Sequence, residues 1–301
     1  MIRLTRMIAV AALAVAGSTG TAATAAPPAT APGLPLYLAL GDSITNGENS
    51  AAPSDIDEYW TAVAGWRANG YVTPLTAYLK GAMDCLPAAS DQAADGCRQL
   101  KLTNLARSAV PADGSQPSKP GVTSTLLIDE QLGAAEATLT ARNQDDNPRN
   151  DVEVVTISVG GNEIFDAFMS GDGQILAAAF GTFVGNYNQI LGRLRAAAGP
   201  DTEILTMTYF NPLPYCGMFP DPAIGHYYGN LVLEQLPTPV GNGLNGAIRT
   251  LSAAHDAVPA EVFGQLGDGD FANCKHPNEA GYAKIAAAFE TAWATAAARE
   301  G

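Results

Sequence analysis

Basic residues are scarce in this 301-residue chain: 16 lysines and arginines stand against 30 acids, a formal net charge of −14. No Lys/Arg cluster occurs along it. Such an acidic surface repels nucleic-acid phosphates and anionic headgroups, which argues against nucleic acid as a broad partner. Histidine and cysteine are sparse too, at three and four residues; there is no CxxC pair, and His226, His255 and His276 are scattered. That spacing disfavours a zinc site. The apolar run Met7–Ala16 spans ten residues, half of the ~20 a membrane span requires, and no other segment is long and apolar enough. Stable membrane insertion is not expected. No internal repeat and no second core pattern is visible, so one domain is the simpler account.

What the N-terminus does have is a processing signal. Arg3 and Arg6 precede the apolar run, and small residues ending in Ala23-Thr24-Ala25 follow it. This is the order of a secretory signal peptide, with cleavage expected after Ala25. Residues 1–25 then leave, residues 26–35 form a short Pro/Ala-rich tail, and residues 36–298 form a single domain. Loss of Arg3 and Arg6, with no acid, takes the charge from −14 to −16. About 275 residues remain, enough to bury a sizeable core. All four cysteines lie in this part. An even count in an exported chain points to two disulfides, with three connectivities open. The pairing expected is Cys85–Cys97, closing one polar connection, and Cys216–Cys274, tying an aromatic loop to the segment around His276.

Short apolar runs alternate with longer helical patterns. Strands are expected at 36–40, 100–105, 152–159, 203–207 and 261–266, and helices near 72–80, 124–141, 175–197, 242–255 and 278–298. The β, α, β, α order implies parallel strands joined by crossovers, hence a three-layer α/β/α sandwich with a five-stranded parallel sheet. Continuously apolar strands such as VEVVTISV at 152–159 suit a sheet covered on both faces. Gly/Pro/Asp-rich connections fill 44–66, 81–99, 111–122 and 209–241. The last carries Tyr209, Phe210, Tyr215, Phe219, Tyr227 and Tyr228, which either wall a pocket or pin down their own loop.

Ligands of open α/β sheets bind beyond the carboxyl ends of the strands, and three such ends carry chemistry-bearing residues. The first strand breaks into GDSITNG at 41–47, placing Ser43 at its edge. Alone, such a serine is more often a helix N-cap. The third ends in SVGGNEIF at 158–165, where Asn162 offers an amide donor suited to an oxyanion; alone, Gly-Gly-Asn is more often a turn. After the fifth comes FANCKHPNEAGYAKIA at 271–286, in which His276 sits on a short loop before a helix, as a general base would.

In that order, serine then asparagine then histidine, the three blocks resemble the SGNH family of GDSL-type esterases and lipases. GDSI at 41–44 is similar to its nucleophile block, GGNE at 160–163 to its oxyanion block and HPNEAGY at 276–282 to its histidine block. The resemblance runs from Leu36 to about Ala298. It implies a flavodoxin-like sheet, no metal or other cofactor, and ester hydrolysis through an acyl-enzyme. It also implies roles: Ser43 as nucleophile, His276 as base, and the N–H groups of Ser43 and Ala109 with the Asn162 amide as oxyanion donors. Two departures stand out. Ala109, in NLARSA at 104–109, occupies the place of an expected glycine, and Asn273 stands where an aspartate three residues before the histidine is usual. Asn273 is expected to orient the imidazole through its carbonyl oxygen, with Asp268 and Asp270 as alternatives on the same loop.

The substrate expected is a small-molecule, lipid or acylated carbohydrate ester. Rival readings are a binding or accessory protein on the same fold, weakened at Asn273 and Ala109, and an acyltransferase using the same residues.

Overall fold

A computed structural model describes residues 34–49, 53, 55–83, 99–113 and 118–299. The expected signal peptide, most of the expected tail, and the expected Cys85–Cys97 pair lie outside the described residues.

Five parallel strands form the sheet: β1 (Leu36–Gly41), β2 (Lys101–Asn104), β3 (Val152–Ser158), β4 (Glu203–Met207) and, after a small hairpin of β5 (Pro237–Thr238) and β6 (Gly241–Asn242), β7 (Val258–Ala260). Their order is β2-β1-β3-β4-β7. Counted along the sheet strands alone this is 2-1-3-4-5, the flavodoxin-like order, whose switch point lies between the first and third strands. β1 is buried along its whole length and β3 almost so, because helices cover both faces. β2 is the half-exposed edge.

Helices α1 (Ser43–Asn46), α2 (Ile56–Asn69) and α3 (Val72–Ala82) follow β1. After β2 come α4 (Ser124–Leu127), a π-turn (Ile128–Leu132) and α5 (Gly133–Asn143). After β3 come α6 (Gly161–Met169) and α7 (Gly173–Ala198). Beyond β4 lie α8 (Pro222–Asn230), α9 (Gly243–Ala254) and, last, α10 (Glu279–Ala297). One layer is built on α3 against α10, the other on α5, α7 and α9 packed in sequence.

Three expectations are corrected. The fifth strand is Val258–Ala260 rather than 261–266; the later stretch is loop, turned by Gly264 at φ +79°, with Val262 and Leu266 buried by packing rather than pairing. The connection 44–66 contains most of α2, whose Tyr59, Val63 and Trp66 make a buried stripe at helical spacing. The 209–241 stretch holds α8, a second π-turn (Leu231–Gln235) and the hairpin. Arg249 anchors this excursion, bonding Glu234 and Glu261, each at 2.8 Å.

The bend out of β1 depends on Gly41. Its φ is +143°, and a Cβ there would stand 2.3 Å from the Ser158 carbonyl oxygen and 2.7 Å from Thr45 Oγ1. Gly41→Ala is therefore expected to destabilise the fold by about 2–5 kcal/mol, from backbone strain plus overpacking. Urea denaturation measures this; a variant within about 0.5 kcal/mol of the parent, the range of a neutral surface change, would contradict it.

Candidate active site

Ser43 opens α1 directly behind β1, and its neighbours hold it there. Asp42 is the N-cap. Its carboxylate accepts from the Ile44 amide at 2.9 Å, the Ser158 hydroxyl at 3.1 Å and the Tyr209 hydroxyl at 2.6 Å. Burial outweighs these bonds and pushes the Asp42 carboxyl up to about 6. From the other side Gln131 clamps Gly41, accepting from its N–H at 2.9 Å and donating to its carbonyl at 2.8 Å. Gln131 belongs to the first π-turn, an irregularity frequent at functional sites.

The histidine segment folds back on itself. Phe271 bridges Pro277, and the Ala272 N–H donates to the His276 carbonyl at 3.0 Å. Asn278 then caps α10, its side chain accepting from the Gly281 N–H. This geometry sets His276 Nε2 at 2.9 Å from Ser43 Oγ. Burial, and secondarily the charge of Lys275, push the imidazole down to about 4. It is therefore neutral near pH 7. With Nε2 as the acceptor toward Ser43, the imidazole proton sits on Nδ1.

Asn162 lines the same cleft as Ser43 and His276. Its amide donates to the Val122 carbonyl at 3.0 Å, which orients the group and leaves its second hydrogen for a ligand. Gly121 makes room for it, since a Cβ there would come within 2.9 Å of Asn162 Nδ2. Ala109 lies on the half-buried loop after β2, without positive φ, and is not among the cleft-lining residues. That loop is tied to the Ser43 turn, as Asn104 donates to the Thr45 carbonyl and Asn46 to the Ser108 hydroxyl at 3.0 Å.

The expectation for Asn273 is corrected. Its carbonyl oxygen accepts from the backbone N–H groups of Lys275 at 2.9 Å and His276 at 3.0 Å. It shapes the turn that carries the histidine rather than touching the ring. Asp270 bonds Lys284 at 2.6 Å and the Gly267 N–H at 2.7 Å, and Asp268 is exposed. The group facing the ring is Glu48. Its Oε1 stands 3.6 Å from His276 Nδ1, a buried nitrogen with no hydrogen-bond partner. Burial pushes Glu48 up to about 7, with Asp42 adding to the rise and the Ser108 bond and Lys275 opposing it. Glu48 was legible only as an acid five residues after Ser43, inside the turn GDSITNGE.

A cleft open to solvent lies over these groups. Ile44, Phe165, Phe168, Phe210, Leu213 and Val232 give it an apolar wall. Of the aromatics in 209–241, Tyr209 and Phe210 reach it; Tyr215 stacks on Phe271 and Phe219 on Tyr228 instead. Cys216 and Cys274 are half-buried and carried as thiols in this structure. They are neighbours, with Cys274 Sγ 3.1 Å from the Cys216 carbonyl oxygen. Burial, then the Cys216 thiol, push Cys274 up to about 11. Among the described residues no metal-holding group of His, Cys, Asp or Glu occurs, and no helix is long and apolar enough to cross a membrane.

The sequence pattern of the family described as GDSL-like Lipase/Acylhydrolase matches residues 37–289. Among solved structures the chain is similar to the lipase Lip_vut3 from a goat rumen metagenome, at 14% identity over 86% of this chain and 97% of that one, with a TM-score of 0.46. It is similar also to a member of the lipolytic G-D-S-L family from Veillonella parvula DSM 2008 (13% identity, 86% and 98% covered, TM-score 0.44). A third is the acetylxylan esterase Axe2 from Geobacillus stearothermophilus (16% identity, 86% and 94% covered, TM-score 0.41). None of the curated proteins matches the chain.

The turn-shaping role of Asn273 separates two substitutions. Asn273→Asp keeps the acceptors and should hold turnover within about threefold, under about 0.7 kcal/mol of barrier. Asn273→Ala loses two hydrogen bonds and should destabilise by about 1–3 kcal/mol. A tenfold gain in turnover for Asn273→Asp would instead mean that position 273 addresses the imidazole directly.

Proposed function

The chain belongs to the GDSL-like lipase/acylhydrolase family and is a carboxylic ester hydrolase, and on that premise we propose that it is an exported serine esterase working through an acyl-enzyme on Ser43. The observation that carries this is the 2.9 Å contact between Ser43 Oγ and His276 Nε2 at the edge of an apolar cleft. Ser43 Oγ attacks the ester carbonyl carbon while its proton passes to Nε2. The bond to the alcohol oxygen breaks, and His276 returns the proton to the departing alcohol. Water then attacks the acyl carbon, gives a proton to His276, and Ser43 is released as it regains that proton. The N–H of Ser43 and the Asn162 amide, both in the cleft, hold the developing oxyanion; Ala109, expected as a third donor, does not line it. The neutral imidazole within reach of the hydroxyl speaks against a site reduced to binding.

The apolar wall favours an acyl chain longer than acetyl, since each buried methylene contributes about 0.8 kcal/mol. Export rests on the N-terminal pattern of residues 1–25. In an oxidising compartment the adjoining thiols of Cys216 and Cys274 close into a disulfide, tying the cleft wall to the histidine turn.

p-Nitrophenyl esters of graded acyl length test the activity. kcat/KM should rise by up to about fourfold per methylene until the cleft is filled, and Ser43→Ala should lower turnover by about a thousandfold or more. Half the activity surviving in Ser43→Ala removes Ser43 from the mechanism; a preference for acetate places the acyl chain outside the cleft. For the cysteines, non-reducing peptide mapping of protein secreted from cells is expected to join Cys216 to Cys274. A peptide linking either of them to Cys85 or Cys97 would refute that pairing.

A further inference from the structure

We propose that Glu48 is the carboxylate that positions His276, fixing its tautomer through Nδ1 and balancing the imidazolium that forms when His276 takes the Ser43 proton. This rests on the Ser43–His276 reading above. Other acids near the site are engaged elsewhere: Asp42 by Ile44, Ser158 and Tyr209, Glu163 by the Ser124 N–H, and Asp270 by Lys284. Asn273 serves its own turn. A buried N–H without an acceptor is costly and rare in native proteins, and Nδ1 of His276 is one. The oxygen it faces is Glu48 Oε1, 3.6 Å away. Closing that gap by about 0.8 Å makes an ordinary hydrogen bond, and catalytic contacts often tighten only with substrate bound.

The backbone couples this carboxylate to the nucleophile. The Glu48 N–H donates to the Ser43 carbonyl at 3.0 Å, and the Tyr282 hydroxyl donates to the Glu48 carbonyl at 2.7 Å. Gly47, the left-handed C-cap of α1, turns the chain between them. Ser108 also bonds the carboxyl; its hydroxyl oxygen already accepts from Asn46, which leaves its proton for Glu48. The role an aspartate three residues before the histidine would fill thus comes from the nucleophile's own turn.

The pH dependence follows from the groups around the pair. Burial raises Glu48 to about 7, Asp42 adds to the rise, and Lys275 and Ser108 oppose it; Tyr59 and Tyr282, both pushed up, stay neutral. His276 is lowered to about 4 by burial and Lys275. The pair therefore holds one titrating proton between about pH 4 and pH 7 and none above, and that titration belongs to the pair rather than to either residue. Only the form without it has a free base beside an ionised carboxylate, so kcat/KM rises through about 7.

Glu48→Gln tests this, with Ser43→Ala and His276→Ala run alongside. The expected result is a fall of about 10²-fold in kcat, little change in KM, and loss of the acid limb near 7, leaving that of His276 near 4. Glu48→Asp should keep the limb at an intermediate rate. A carboxyl raised in the folded state withdraws stability as pH rises from its unfolded 4.5 through 7. Glu48→Gln should therefore melt no lower than the parent at pH 8, whereas a merely structural role would lower its melting point and leave the acid limb in place. The proposal is overturned if activity depends on Ser43 and His276 yet Glu48→Gln keeps kcat within threefold or keeps the limb near 7. Should Glu48→Gln fail to fold, the parent's own limb decides, since a profile falling only below pH 5 overturns the proposal as well. Activity that survives in Ser43→Ala or His276→Ala sinks the serine reading itself, and this one with it.

Discussion

A single contact organises the molecule: Ser43 Oγ against His276 Nε2, 2.9 Å apart across 233 positions of sequence. Neither side chain holds that distance alone. Ser43 is fixed because Gln131 bonds both polar atoms of Gly41 and because Asp42 bonds Tyr209, whose backbone is in turn pinned by Asn245 at 2.6 and 2.9 Å. His276 is fixed because Asn273 and Asn278 shape the two ends of its short loop. Elements from five separate stretches of chain thus converge on two atoms, which is how a fold supplies catalytic geometry more precisely than a loop can.

Burial is what makes this arrangement both reactive and costly. One cause moves three neighbouring groups in opposite directions: Asp42 and Glu48 up to about 6 and 7, His276 down to about 4. Each shift disfavours the charged form, as desolvation does. The linkage to stability has two signs. The raised carboxyls withdraw stability as pH climbs from their unfolded values, 3.8 and 4.5, through 6 and 7; the depressed histidine withdraws it as pH falls from 6.5 through 4. A neutral imidazole near pH 7 is what general-base work requires, and opposed shifts in adjoining groups mark functional sites more often than structural ones.

Much of this was legible in the chain, for identifiable reasons. β1, β3 and β4 announce themselves because strands buried on both faces must be continuously apolar, and α7, α9 and α10 because a covering helix must carry a periodic apolar stripe. Ser43 and Asn162 stand out because they follow the ends of β1 and β3, and His276 because it sits on a short loop just before the last helix. The fifth strand was displaced by three residues because EVFGQL alternates like a strand, while the ladder itself pairs only Val258, Pro259 and Ala260. Helix α2 was obscured by the Gly/Pro/Asp content of its surroundings, although Asp55 caps it and Tyr59, Val63 and Trp66 mark its buried side. Asn273 was assigned to the imidazole because spacing along the chain says nothing of which way an amide points. Glu48 went unread for the complementary reason: an acid in a turn looks solvated until Tyr282 and α10 are seen to bury it.

The central claim is that Ser43 is the nucleophile that His276 activates. A fluorophosphonate reacted with the intact protein tests it most directly, read by mass before and after substitution of His276. The account predicts one adduct per chain, mapped to the peptide containing Ser43, and formed far more slowly in His276→Ala. An unmodified protein, or an adduct on a peptide without Ser43, would contradict it.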